Sequence, residues 1–127
     1  MSTNSTITAL TSDGKVKSIY CHSDGYVDGV GMMLAENYTD QEKVDALMDL
    51  GDLSVLDKSI ECPKGHSFNS RVYGYTVAYG RDRGERGVEA SEYPSLEDAL
   101  ADVCDVYHYV WDGEQWLFNN LPLNSRV

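Results

Sequence analysis

The chain has 127 residues, 42% of them hydrophobic, which fits one globular domain with a buried core rather than a disordered chain. Its 21 acidic and 10 basic residues give a formal net charge of −11, which excludes direct nucleic-acid binding through a basic footprint. It has no run of about 18 apolar residues and no basic segment followed by an apolar one at the N-terminus. We therefore expect a single cytoplasmic domain, 1–127, with flexible tails at 1–5 and 120–127, and no contact with membranes.

The first elements predicted along the chain are two strands joined by a tight turn. Residues 6–10 and 15–22 have the composition of strands, and Asp13-Gly14 between them is a strong hairpin signal. We therefore expect an N-terminal antiparallel hairpin.

Two helices are predicted next. Residues 27–38 fit a short helix that two internal glycines weaken. Thr39 and Glu42 have the spacing of a capping box, with Thr39 as the N-cap, and the second helix extends to about Leu50. Gly51 then occupies the position that ends such a helix.

The second half of the chain is predicted to contain three more strands and one helix. Residues 72–79, VYGYTVAY, have the clearest strand pattern, and the run 80–89 is expected to be a loop. Ser95 is the expected N-cap of another helix. Two aromatic segments around Asp112-Gly113 predict a C-terminal hairpin.

This order of elements, ββααβαββ, predicts an α+β fold. We expect a mainly antiparallel sheet of four to five strands, with two to three helices packed on one face. The C-terminal hairpin, 106–118, would leave an aromatic edge strand, and a second copy of the chain could cover it to form a homodimer.

Each of the three cysteines lies near a histidine in the sequence. Cys21 and His22 are adjacent in a predicted strand, so their side chains point to opposite faces and cannot form a catalytic pair. The four residues that would complete a zinc set are Cys62, His66, Cys104 and His108. Their spacing departs from the usual Cys-x₂₋₄-Cys and His-x₃₋₅-His pairs. The sequence also has no nucleophile motif and no P-loop, so we predict no metal, no cofactor and no enzymatic activity.

Acidic residues recur at i, i+4 and i+7 in two predicted helical regions, a spacing that places them on one helix face. The two rows are Asp45, Asp49 and Asp52, and Asp98, Asp102 and Asp105. Four helical residues rise about 6 Å, close to two phosphate steps of about 3.4 Å each along DNA. The rows could therefore imitate phosphates and bind a protein that has a basic groove. The alternative is that they are only the solvated faces of the helices.

The arginine-rich run after Tyr79 indicates a second type of site. Arg81 and Arg83 lie among glycines and could contact a phosphate, while Tyr79 could stack on a base, as in a protein that binds a nucleotide signal. The alternative is a solvated loop whose arginines pair with nearby carboxylates.

Several motifs together resemble a family. They are S-I-Y-C-H-x-D-G-Y over 18–26, L-G-D-L-S-x-L over 50–56, His66-x-Phe68, and T-V-A-Y-G-R-D-R-G-E over 76–85. On these motifs the chain, over about residues 16–118, resembles small accessory proteins of tailed phages and prophages. The resemblance implies no catalytic residues. It implies instead a protein that occupies a protein of the bacterial host.

The acidic charge and this resemblance together lead to a functional expectation. We expect a phage-encoded counter-defence protein, of the anti-CRISPR or antirestriction type, in the host cytoplasm. It would bind and block a host defence protein that has a basic nucleic-acid groove, since opposite charge accelerates such association. A nucleotide-sequestering protein and a minor virion or assembly protein are the two alternatives left open.

Overall fold

The structure is a computed structural model that describes residues 3–103, 106–118 and 121–123. The strands are β1 (Ser5–Leu10), β2 (Val16–Cys21), β3 (Leu53–Val55), β4 (Val77–Ala78), β5 (Ser91–Tyr93), β6 (His108–Trp111), β7 (Trp116–Phe118) and β8 (Leu121–Pro122). The helices are α1 (Met32–Asn37), α2 (Gln41–Asp49), α3 (Tyr79–Arg83) and α4 (Leu96–Asp102), and a π-helical turn, Val27–Gly31, precedes α1.

The strands form one mixed sheet of eight strands in the order β4-β3-β2-β1-β6-β7-β8, with β5 also paired to β2. Its central pair, β1 and β2, is the antiparallel hairpin that the sequence predicts. However, β6 runs parallel to β1, and β3 runs parallel to β2. The α+β class is confirmed, but the prediction of a mainly antiparallel sheet of four to five strands is wrong. Parallel partners lie far apart in sequence, as Thr6 and His108 do, and leave no local turn signal.

Helices lie on both faces of the sheet, which corrects the prediction that they pack on one face. The core face carries Ile7 and Ile19, and it is covered by α1 and α2 through buried residues such as Leu34 and Leu47. Side chains alternate along a strand, so Ser18 and Tyr20 point to the opposite face. We call this the second face. Helix α4 lies there, because Asp102 and Val103 border the same cavity as Ser18 and Tyr20.

Two tryptophans fix the core face to the helices. The rings of Trp111 and Trp116 lie 5.4 Å apart, and both side chains are buried. The Trp111 Nε1–H donates to Gln41 Oε1 at 2.8 Å, and the Trp116 Nε1–H donates to the Tyr38 carbonyl at 2.7 Å. Buried indoles therefore keep their polar atoms satisfied while supplying most of the local apolar area.

The predicted C-terminal hairpin is confirmed as β6 and β7. Its outer strand is not an open edge, because Leu121 of β8 pairs with Phe118 of β7. The reason given for expecting a homodimer, an uncovered aromatic edge at 106–118, is therefore not present in the fold.

The tyrosine-rich segment 72–79 is mostly a loop, which contradicts the strand predicted there. Gly74 has a φ of +90°, a conformation that strands do not use. The Asp57 carboxylate accepts the Gly74 N–H at 3.2 Å and forms an ion pair with Arg71, and these contacts fix the loop. Tyr73 is consequently 88% exposed.

The helix-capping predictions have different outcomes. Ser95 caps α4 as predicted, since its Oγ accepts the Asp98 N–H at 3.2 Å. Thr39 does not cap α2. Asp40 occupies the N-cap position, and its side chain makes no capping hydrogen bond. The run 80–89, predicted to be a loop, begins inside α3.

The glycines after β2 allow the chain to turn back tightly on itself. The Val30 N–H donates to the Asp24 carbonyl at 2.8 Å, which brings the π-helical turn against the backbone before it. A Cβ added to Gly29 would lie 2.2 Å from that carbonyl oxygen. Only glycine fits there without moving backbone, so we assign Gly29 a structural role.

Replacing Gly29 with alanine tests this close approach. We expect Gly29→Ala to lower the free energy of unfolding by about 1 to 3 kcal/mol, because the methyl group meets rigid backbone. The control is Gly80→Ala in α3, where a Cβ meets nothing closer than Val88 Cγ2 at 3.4 Å. That change should be neutral or stabilising by up to about 1 kcal/mol. Urea unfolding measures both, and equal stabilities for the two variants would contradict the assignment.

Candidate functional site

One edge of β2 is shared by two strands, and this creates a gap between them. Strand β5 pairs with β2 at Val16–Ser18, and β3 pairs with it at Cys21. The Tyr20 N–H faces the gap between the two. A backbone N–H left without a partner inside a fold is costly. The Asp52 carboxylate fills the gap by accepting this N–H at 2.9 Å.

The backbone of Asp52 joins the segments on both sides of the gap. Gly51 ends the helical region with a φ of +76° and turns the chain. The Asp52 N–H then donates to the Val88 carbonyl at 2.8 Å, and the Asp52 carbonyl accepts the Tyr79 N–H at 3.1 Å. Asp52 is thus held in place by its backbone as well as by its side chain.

The surroundings of Asp52 disfavour its charge. Burial raises the pKa of this carboxyl above its usual value, and the nearby Glu85 and Glu89 carboxylates act in the same direction. The bond from the Tyr20 N–H opposes the shift without cancelling it. Ionisation of Asp52 therefore lowers the stability of the folded protein.

Two cavities of about 300 Å³ each open on either side of Tyr20 and Asp52. We name each cavity after the tyrosine that lines it and does not line the other. The Tyr93 cavity lies between β2, β5 and the end of α4, and its lining is Thr6, Ser18, Ile19, Tyr20, Asp52, Ser91, Tyr93, Asp102 and Val103. The Tyr79 cavity is lined by Tyr20, Asp52, Tyr79, Arg83, Glu85 and Val88.

The Tyr93 cavity combines aromatic rings with carboxylates. The Tyr93 hydroxyl donates to Asp102 Oδ2 at 2.5 Å, which orients the ring and the carboxylate toward each other. Tyr20 Oη lies 2.7 Å from His22 Nδ1. Such a lining suits a cationic group that also has a flat or apolar part.

A chain of hydrogen bonds crosses the sheet beside this cavity. Thr8 Oγ1 lies 2.6 Å from Ser18 Oγ and 2.6 Å from His108 Nε2. Thr8 therefore lies between the serine and the histidine. These residues satisfy one another's polar groups on the second face.

The first predicted acidic row does not form a line on one helix. Burial acts to raise the pKa of Asp45, but bonds from Ser12 and Gln41 outweigh it and lower the pKa. Asp45 therefore ties the β1–β2 turn to α2. Asp49 is exposed and lies 3.6 Å from the Lys17 ammonium. Asp52 lies beyond the end of α2, in the gap of the sheet.

The second row is only partly described. Asp98 accepts the Ser95 hydroxyl at 2.9 Å, and Asp102 accepts the Tyr93 hydroxyl. Asp105 lies outside the described residues. The structure thus brings one member of each row, Asp52 and Asp102, into the same cavity, which the helical spacing could not predict.

The arginine-rich segment does not form a free phosphate site. The Arg81 guanidinium donates to the Ile60 carbonyl, to the Thr76 carbonyl at 2.8 Å and to the Asp82 carboxylate at 3.0 Å. Its donors are engaged in holding the loop to α3. Arg83 and Tyr79 lie together at the Tyr79 cavity, but Asp52 and Glu85 line it too and repel an anion.

Cys62 and His66 both lie against Asp82, whereas Cys21 is buried in the core. Burial raises the pKa of the Cys21 thiol to about 12, which makes it unreactive. Cys62 Sγ lies 3.7 Å from the Asp82 carboxylate. His66 Nδ1 accepts the Val72 N–H at 3.0 Å. Cys104 lies outside the described residues, and the part of the chain that is described contains no group of three or more ligating side chains placed to hold a metal ion.

Charge is distributed unevenly along the chain. Residues 87–125 contain eight acidic residues and no lysine or arginine. This stretch includes β5 and α4, which border the Tyr93 cavity through Ser91, Tyr93 and Asp102. The exposed carboxylates described there are Glu89, Glu92, Glu97, Asp98 and Asp102, which we call the β5–α4 acidic surface.

Sequence reasoning selected Asp52 and Asp102 but missed Tyr20 and Tyr93. Tyr20 belongs to the motif at 18–26, but that motif assigns it no role, and both tyrosines lie in strands where an aromatic residue is ordinary. Only the pairing of β5 with β2 shows that they face one cavity.

Comparison of the chain with family models, with curated proteins and with solved structures finds no match. Within the described ranges, none of the helices has the length and apolar character needed to cross a membrane.

The effect of the Asp52 charge on stability can be tested by an isosteric substitution. Asp52→Asn keeps an oxygen that accepts the Tyr20 N–H but removes the disfavoured charge. Because the folded-state pKa of Asp52 is raised, its ionised form lowers stability at neutral pH, and this loss disappears as the pH falls toward the usual value of 3.8. We therefore expect the variant to have a higher Tm than the parent at pH 7 and no such advantage near pH 4.

The control for this experiment is Asp49→Asn, at an exposed carboxylate that pairs with Lys17 across 3.6 Å. It should not raise the Tm at pH 7, because exposed ion pairs contribute little and their loss gains nothing. A lower Tm for Asp52→Asn than for the parent at pH 7 would show that the charge of Asp52 is stabilising, contrary to this account.

Proposed function

We propose that this chain is an acidic counter-defence protein of the anti-CRISPR or antirestriction type, which binds the basic nucleic-acid groove of a host defence protein and blocks it. The observation that carries the proposal is the stretch 87–125, where eight acidic residues occur without a basic one. Its β5–α4 acidic surface borders the Tyr93 cavity, which Asp102 of that surface lines. Such a surface attracts a basic groove and repels nucleic acid.

Three cations of the chain lie in ion pairs that do little to weaken this field. Arg71 forms an ion pair with Asp57, and Arg81 does so with Asp82, both away from β5 and α4. Lys15 lies 3.7 Å from Glu92 at the border of the acidic surface, but both side chains are 55% exposed. A partner's cations can compete with such a pair, since exposed ion pairs are weak.

In this proposal the protein imitates the negative charge of nucleic acid and not a long row of its phosphates. Helix α2 ends at Asp49, and α4 has 7 residues, which span about 10 Å. That length corresponds to about three phosphate steps along one strand. The acidic surface therefore depends on β5 and α4 together, with the carboxylates of the cavity, and not on one helix face.

The counter-defence role itself is supported by the resemblance of the motifs at 18–26, 50–56 and 76–85 to phage accessory proteins. The nucleotide-sequestering alternative has less support, because Arg81 is engaged within the protein and Arg83 shares its cavity with acidic residues. No observation in the fold favours a virion or assembly role.

Capture of the partner tests the proposal directly. The tagged protein is incubated with bacterial lysate at low and at high salt, and the bound proteins are identified by mass spectrometry. We expect one predominant nucleic-acid-binding protein at low salt, with less recovered at high salt because screening weakens the attraction. Recovery of no protein, or of a partner that binds equally at both salt concentrations, would contradict the proposal.

Neutralising variants locate the contact surface. We expect Glu89→Gln, Glu92→Gln and Glu97→Gln together to weaken binding to the captured partner about tenfold, mostly by slowing association. The control carries the same change in net charge at Glu36, Glu42 and Glu61, exposed residues outside the stretch 87–125. Surface plasmon resonance compares the two variants. Equal weakening would mean that net charge alone, and not the β5–α4 acidic surface, governs binding.

A further inference from the structure

We infer that the Tyr93 cavity is a receptor for a single arginine side chain of a partner protein. The inference deepens the proposed function and rests on it in one respect, namely that the arginine belongs to the protein that the acidic surface attracts. The cavity is assigned from its own lining and can be tested without that protein.

The first argument is the combination of groups that face the cavity. Asp52 and Asp102 supply carboxylates, Tyr20 and Tyr93 supply rings, and Ser18 adds a hydroxyl. These groups come from different elements, β2, the turn after α2, β5 and α4, so the fold brings them together. A volume of about 300 Å³ is at the lower limit for small-molecule sites and is sufficient for one long side chain.

The second argument is why arginine fits better than lysine. A guanidinium is planar, so it can stack on a tyrosine ring while its N–H groups donate to carboxylates on either side. Lysine offers a compact, strongly hydrated charge that gains less from the rings. The site provides both rings and carboxylates, which favours the planar cation.

The third argument comes from the neighbouring Tyr79 cavity. That cavity shares Tyr20 and Asp52 and contains a cation of the chain itself, Arg83, whose guanidinium carbon lies 4.9 Å from the centre of the Phe68 ring. An arginine held among tyrosine, phenylalanine and carboxylate is therefore already present in this fold. Among the described residues that line the Tyr93 cavity, none is basic.

The fourth argument is the energetic state of Asp52. Burial and the neighbouring carboxylates disfavour its charge in the protein alone. A guanidinium entering the cavity would offset that repulsion, because an opposite charge close to a carboxylate favours its ionised form. The charge of Asp52 thus lowers the stability of the free protein and raises that of the complex. This is the pattern expected of a binding residue.

The test is an NMR titration with a short capped peptide, Ala-Arg-Ala, compared with the same peptide carrying lysine or citrulline. Citrulline has the shape of arginine without its charge. We expect saturable shifts of the amide signals at 18–20, 52 and 91–93 with arginine, weaker binding with lysine, and none with citrulline. Asp52→Asn should weaken arginine binding about tenfold, the usual size of a charge-assisted hydrogen bond.

Tyr93→Leu is the second variant, and it should also weaken binding by removing a ring from the cavity. Asp49→Asn on α2 is the matched control, and it should bind arginine as the parent does. Shifts spread over α2 as strongly as over the cavity, or equal binding of arginine and citrulline, would overturn the inference.

The outcomes separate this inference from the proposed function. If a nucleic-acid-binding partner is captured but arginine does not shift the cavity signals, the assignment of the cavity as an arginine receptor is wrong and the proposed function stands. If arginine saturates the cavity but no such partner is captured, the function is wrong and the receptor stands.

Discussion

The hydrogen bond between the Tyr20 N–H and the Asp52 carboxylate is the constraint on which the candidate site depends. The sheet places two separate strands, β5 and β3, along one edge of β2, and a backbone donor lies between them. This half-buried donor needs a partner, and the Asp52 side chain provides it between the two strands. The two cavities open at this same gap. The carboxylate that completes the sheet is therefore also the carboxylate that both cavities share.

This arrangement connects stability with binding. The core face of the sheet is filled by tryptophans and aliphatic residues, and it supplies the stability of the domain. The second face carries hydroxyls, tyrosines and carboxylates instead, with the short helix α4 over it. Placing negative charge at a half-buried position lowers the stability of the free protein. Under the proposed function, a cation of the partner offsets this charge, and the net charge of −11 attracts such a partner.

Sequence reasoning identified the parts of the fold that local signals encode. The Asp13-Gly14 and Asp112-Gly113 hairpins and the Ser95 cap depend on neighbouring residues and were predicted correctly. The strand at 72–79 was wrong because Asp57, distant in sequence, holds Gly74 in a loop. The candidate site was only partly predictable for the same reason. Helical spacing selected Asp52 and Asp102, but their shared cavity depends on long-range strand pairing.

Hydrogen exchange of the chain with and without its captured partner tests the central claim, that the second face is the contact surface. The account predicts slower exchange in the complex at 18–20 and 88–103, where β2, β5 and α4 meet. It predicts little change in α1 and α2, which cover the core face. Slower exchange confined to α2, or to the loop around the exposed Tyr73, would contradict the account and place the contact surface elsewhere.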